Sequence, residues 1–201
     1  FSLKDALHLI TMRGKLVSEL PGGSMLSVRS NIEDLNHLVP EGLSIAAINS
    51  DKLIVISGPD SDVHDFAELL DQEKIANKLL LTSHAFHSTM MDPVLDTFEA
   101  EVKKVALNIP SLPLVSTVTG TWLTDAEATS STYWTNHLRA AVNFSGAMET
   151  VLGLDNVVLL EVGPGRALTT LSKQKKGLKS LASAASLPFP KENETAHHTV
   201  L

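Results

Sequence analysis

Apolar and polar positions divide the chain into two rhythms. In the first, Leu3, Leu7, Ile10 and Val17 recur at helical spacing behind a Ser2/Asp5 capping-type start. That pattern predicts a helix over Ser2–Leu20, stopped by Pro21-Gly22-Gly23. Short β-rich runs follow at Ser24–Arg29, Leu43–Ile48, Lys52–Ser57 and Lys78–Thr82. Asn49-Ser50-Asp51 reads as the hairpin turn between the middle two. Ser30–Val39, opened by Ser30 with Glu33, reads as a helix closed before Pro40. A second helix starts at Asp60 or Ser61 and carries Val63, Phe66, Ala67 and Leu70 on one face. The resulting order, β-α-β-β-α-β, predicts a ferredoxin-like layer of two helices on an antiparallel sheet.

The second rhythm is longer. Met91, Val94, Leu95, Phe98, Val102 and Val105 predict a helix over Ser88–Leu107. Leu114–Thr119 reads as a strand and Ser131–Leu152 as mostly helical. Val157–Val162 is a continuous apolar run, the kind buried on both faces of a parallel sheet. Gly163-Pro164-Gly165 turns it into a helix from Arg166 to about Lys176, and Leu181–Ala185 reads as a last strand. Alternating strands and helices predict an α/β layer. From Ser186 onward, Leu-Pro-Phe-Pro and a polar run have linker composition.

The 201 residues are 43% hydrophobic and 19% charged, which excludes wholesale disorder. A net charge of −7 argues against a nucleic-acid partner. The chain has no cysteine, so a disulfide scaffold, a Cys-ligated zinc and a thiol nucleophile are excluded, and a reducing, cytoplasmic setting fits. The uncharged stretch Val105–Thr124 contains Pro110 and Pro113 and is not a membrane span. A start at Phe1 with no signal peptide reads as a piece of a longer chain.

Three places carry candidate chemistry. Ser83-His84-Ala85-Phe86-His87-Ser88 lies between a predicted strand and the long helix. A histidine there is either a general base or a loop residue bonded to backbone. Metal binding is weaker, because no third ligand follows His84 and His87 at suitable spacing. Arg13 has apolar helical neighbours Leu9, Ile10, Leu16 and Val17. It is either a clamp for a substrate carboxylate or one half of a structural ion pair. Gly163-Pro164-Gly165 fits no phosphate-loop pattern, and no GxSxG elbow is present. His197-His198 falls in the linker and reads as solvated.

Taken together, His84-Ala85-Phe86-His87 with Met91-Asp92-Pro93 resembles the signature of acyltransferase domains in modular type I polyketide synthases. Met12-Arg13-Gly14-Lys15, Leu114 to Gly120, Tyr133-Trp134 through Arg139, and Leu160-Glu161-Val162-Gly163-Pro164-Gly165 resemble further family blocks in order. Leu187-Pro188-Phe189-Pro190 resembles the start of the following linker. The resemblance implies an incomplete α/β-hydrolase-like large subdomain with a ferredoxin-like insert. Its expected boundaries are 1–20 and 84–185 for the large subdomain, 21–83 for the insert and 186–201 for the linker.

The implied reaction moves a malonyl unit from malonyl-CoA, through a seryl acyl-enzyme, to the phosphopantetheine thiol of an acyl carrier protein. The family's serine lies upstream of the arginine helix, so this piece alone is expected to be inactive. By the resemblance His87 is the base, oriented by a backbone carbonyl at His137. Arg13, His84 and Phe86 bind substrate, with Phe86 near its α-carbon. The domain itself is expected to hold no cofactor, no metal and no membrane. Its expected neighbours are a ketosynthase and other synthase domains. The alternatives are a fatty-acid synthase malonyl/acetyl transferase and a non-catalytic carrier-docking scaffold.

Overall fold

A computed structural model describes residues 1–174 and 182–187. Helix α1, Leu3–Ser18, is capped by the Ser2 side chain, which accepts from the Asp5 amide. Its buried residues are Leu9, Leu16 and Val17, whereas Leu3, Leu7 and Ile10 of the predicted stripe are exposed. The reason is the partner. Leu9 and Leu16, one stripe at i, i+7, meet Val94, Phe98 and Val102 of α4 (Asp92–Val102), together with Leu138.

The β-α-β-β-α-β order is present: β1 Ser24–Val28, α2 Ile32–Asn36, β2 Ser44–Ser50, β3 Leu53–Gly58, α3 Asp60–Gln72 and β4 Asn77–Leu79. The strands lie in the order β2-β3-β1-β4, every neighbour antiparallel. Period-2 alternation sorts the two faces. Leu26, Val28, Ile54 and Ile56 point one way, onto Leu35 of α2 and Val63, Phe66 and Leu70 of α3. Met25 and Val55 point the other way and pack with Ala46, Ala47, Phe86 and Val142.

Several boundaries differ from expectation. The cap of α2 is Asn31, not Ser30, and the hairpin turn falls at Asp51-Lys52. Helix α3 has Pro59 at its N-cap position and no side-chain cap. The predicted helix over Ser88–Leu107 is a 3₁₀ turn at Thr89–Met91 followed by α4, with a proline in the first turn of α4. Leu114–Thr119 is not a strand. The Ser116 hydroxyl accepts from the amides of Val118 and Thr119 and closes a tight turn. Ser131–Leu152 splits into α6 (Ser131–Asn136) and α7 (Phe144–Leu152), preceded by α5 (Asp125–Ala128). Val142 interrupts the helix because it pairs with β2: its amide donates to Ala46 and its carbonyl accepts from Ile48.

Strand β5, Leu159–Pro164, runs parallel to β6, Ser183–Leu187. It is not buried on both faces as predicted, since Leu160 is 58% exposed and Val162 84%. Helix α8, Ala167–Ser172, follows the turn, and the Glu161 carboxylate accepts from the Leu168 and Thr169 amides. The predicted end of that helix near Lys176, the Leu181 start of the last strand, and Pro188–Leu201 with His197-His198 lie outside the described residues. Ser186 and Leu187, expected in the linker, belong to β6.

Candidate active site

The loop 83–88 leaves β4 and crosses the end of β1. A Cβ at Gly23 would come within 2.8 Å of the Ala85 Cβ and 2.9 Å of the Gly58 carbonyl. Glycine there lets the loop lie directly on the sheet, with Ala85 fully buried. Buried Ser88 donates to the Ala85 carbonyl at 2.6 Å and accepts from the Met90 amide. These contacts pin the residues on both sides of His87. His87 itself has φ of 59°, in the left-handed region that non-glycine residues seldom occupy. Such a conformation persists only where neighbours fix it, and it turns this side chain away from the loop's ordinary course.

His87 Nδ1 lies 2.9 Å from the Ala140 carbonyl. A carbonyl only accepts, so Nδ1 carries the proton and the neutral ring presents Nε2 as an acceptor. The orienting carbonyl therefore belongs to Ala140, not His137. The helix α6 ends at Asn136, and the chain must advance past its last turn before a carbonyl can face the loop. Burial pushes the His87 pKa down, the Ala140 bond raises it, and the Arg13 charge lowers it further. The net direction is downward, which leaves the ring neutral near pH 7 and suited to accepting a proton.

Arg13 and His87 line one cavity of about 400 Å³ with Leu9, Phe98, Trp134 and His137. Arg13 is exposed and makes no ion pair among the described residues. That favours the clamp over the structural pair, because its guanidinium is open to an incoming anion. His137 contributes its ring rather than its carbonyl. It stacks on Trp134 with centroids 5.4 Å apart and meets Tyr133 edge-on at 4.9 Å. Its Nε2 is buried without a partner. Burial and the charges of His87 and Arg13 hold its pKa below the ordinary value.

The other two residues sit elsewhere. His84 bonds to the Ser83 hydroxyl at 2.8 Å, and half-buried Phe86 packs on the Met25, Ala46, Ala47 and Val55 face of the sheet. Neither is among the residues lining the His87–Arg13 cavity. Sequence reasoning missed Ala140, whose contribution is a backbone atom and carries no side-chain signal. Among the described residues no group of three or more potential metal ligands is assembled, and no helix is long and apolar enough to cross a membrane.

The α/β fold is that of polyketide synthase acyltransferase domains. The acyl transferase domain of SpnD, solved with 2-(pent-4-yn-1-yl)malonyl, superposes with a TM-score of 0.93. It is 29% identical, and the match covers 100% of this chain and 48% of that one. The malonyl CoA-acyl carrier protein transacylase of Clostridium perfringens shares the fold, with a TM-score of 0.83 at 23% identity over 92% of this chain and 60% of that one.

A family model described as acyl transferase domain matches residues 1–201, and the chain belongs to that family. Among curated relatives, polyketide synthase GfsA of Streptomyces halstedii is 37% identical over 177 residues, 86% of this chain and 2% of that protein. The mycoketide-CoA synthase of Mycobacterium tuberculosis is 36% identical over 168 residues, 83% of this chain and 4% of that protein. The chain thus spans a small fraction of these synthases and about half of the SpnD domain.

Proposed function

We propose that the protein containing this chain transfers malonyl from malonyl-CoA to the phosphopantetheine thiol of an acyl carrier protein. The observation that carries the reading is the pairing of His87 and Arg13 on one cavity. A base with a free Nε2 and an unpaired guanidinium suit a thioester that carries a second, free carboxylate. The malonyl-type ligand of the SpnD domain supports the same substrate class.

In this reading a serine from the part of the domain that the chain does not span gives its proton to His87 Nε2 and attacks the thioester carbonyl. The coenzyme A thiolate leaves and is protonated. The carrier thiol then attacks the seryl ester, and His87 handles the proton again. Arg13 holds the malonyl carboxylate away from the reacting carbonyl. The domain needs no cofactor of its own, and the reaction belongs to the cytoplasm, beside ketosynthase and carrier domains. The β1–β4 layer serves as a ferredoxin-like insert, bounded by residues 21–83, in an α/β-hydrolase-like large subdomain. Residues 188–201 serve as the linker.

The relatives named as polyketide synthases lend nothing to the fatty-acid synthase alternative. A docking scaffold would have no use for the Arg13–His87 cavity. The test is competition between malonyl-CoA and acetyl-CoA in the intact domain, with Arg13→Ala. A charge-assisted pair is worth about 1.5–3 kcal/mol, so malonyl transfer should fall roughly 10- to 150-fold while acetyl transfer is spared. An equal fall for both substrates would make Arg13 structural, and no malonyl transfer by the wild-type domain would sink the reading.

A further inference from the structure

Helix α4 begins at Asp92, five residues beyond His87. The Asp92 carboxylate Oδ1 lies 2.9 Å from Arg139 Nε. Arg139 precedes Ala140, whose carbonyl accepts from His87 Nδ1. The contacts therefore close a ring: His87, the 3₁₀ turn Thr89–Met91, Asp92, Arg139, Ala140 and back to the imidazole. The arc on the His87 side is stiff, because Ser88 is fully buried and caps the turn while Met91 is 1% exposed. The arc on the Ala140 side is tethered behind by the Ala140 amide, which donates to Asn136, and ahead by Val142 on β2. The Asp92–Arg139 pair and the imidazole bond itself join the two arcs through polar contacts, beside the apolar packing of Leu138 with Val94 and Phe98.

We propose that Asp92 and Arg139 are positioning residues whose ion pair holds the Ala140 carbonyl against His87. The proposal rests on the reading of His87 as the base. The pair contributes little to stability, since its side chains are 52% and 32% exposed and exposed pairs are weak. Its effect is geometric. A carbonyl that drifts from Nδ1 releases the tautomer and the ring angle, and with them the direction of Nε2.

The charges facing His87 are Arg13 from α1 and His137 beyond the end of α6. The Ala140 bond raises the His87 pKa, whereas Arg13 and burial lower it. Loss of the bond therefore moves titration to lower pH. Asp92→Asn removes a negative charge and Arg139→Gln a positive one. As bare charge changes they would shift His87 in opposite directions. As losses of the same geometry they shift it the same way, downward.

The experiment uses the intact acyltransferase domain with each variant and with Asp92→Arg combined with Arg139→Asp. Each single variant should lower kcat for malonyl transfer about 10-fold, short of the roughly 10²-fold attached to a misplacement of about 1 Å. KM for malonyl-CoA should hold, because neither residue lines the Arg13 cavity. The acid limb should move downward in both single variants, and the charge-reversed pair should recover most of kcat. Acid limbs that move in opposite directions, or stay fixed while only melting temperature falls, would overturn the proposal. Histidine ¹³C titration in the same variants, with His87→Gln for assignment, reads the coupling independently of activity. If the wild-type domain transfers no malonyl, the functional reading fails while this titration still decides the pair.

Discussion

Strands β1–β4 and strands β5–β6 are both apolar, yet only the first set closes a core within the described residues. In β1 and β3 every second residue faces α2 and α3, which come from the same stretch of chain. The run at Val157–Val162 meets a local helix, α8, on one face only. It pairs along one edge with β6 and leaves Leu160 58% and Val162 84% exposed. Alternation specifies both a strand and the face that covers it, whereas a continuous apolar run specifies a strand whose cover must come from elsewhere. The candidate site borders the first of these regions. Its loop rests on the sheet through Gly23 and Phe86, and its cavity opens among α1, α4 and α6.

The sharpest way to break that picture is at the two histidines of one loop. His87→Ala in the intact domain should cut malonyl transfer to a carrier protein by roughly 10²–10⁴-fold, about 3–5 kcal/mol in the barrier. His84→Ala should cost far less, because His84 bonds to Ser83 outside the cavity. Equal losses would mean that the loop acts as one structural unit and that the left-handed turn at His87 serves the fold alone.

The next effect separates the two strand systems directly. Phe66, 2% exposed, touches both β-sheet and helix side chains of the first core. Phe66→Ala should cost about 3–5 kcal/mol of unfolding free energy. Val162→Thr, on the open face of β5, should stay within about 0.5 kcal/mol. Urea denaturation of both variants checks the contrast. A cost above about 2 kcal/mol at Val162 would show that this face is covered in solution.

Much of this is legible from residue order, for reasons specific to each element. Leu26/Val28 and Ile54/Ile56 mark their strands because the pleat enforces period 2. The resemblance at His84–His87 singles out His87, and the left-handed turn gives the two histidines different surroundings. The face of α1 is not legible, because two apolar stripes compete there. Only α4, far along the chain, chooses Leu9/Leu16 over Leu3/Leu7/Ile10. The break at Val142 has a readable signal in Asn143, which caps α7 by accepting from Gly146. The Thr124/Glu127 capping box is likewise a readable start for α5. The Ala140 carbonyl has no signal, since any residue supplies a carbonyl.

The smallest expected effect is on stability against pH, and it tests whether the cavity is as closed as the sheet beside it. His87 and His137 both have pKa values pushed below the ordinary histidine value, chiefly by burial, and each feels the Arg13 charge. A group whose folded pKa is depressed binds fewer protons folded than unfolded in the window between the two values. Stability attributable to this pair is therefore complete above the ordinary histidine pKa of about 6.5. It declines as pH falls below that value, and the loss is complete once pH passes the depressed folded values. Native carboxylates with lowered values, such as Glu99 and Glu161, titrate in a more acidic window and do not mask the effect. Urea midpoints compared between the wild type and the His87→Gln, His137→Gln double variant should diverge on acidification below about pH 6.5, with the wild type losing more. Parallel curves through that window would mean that water reaches both rings freely, and that the cavity is looser than the stacked Trp134–His137 pair indicates.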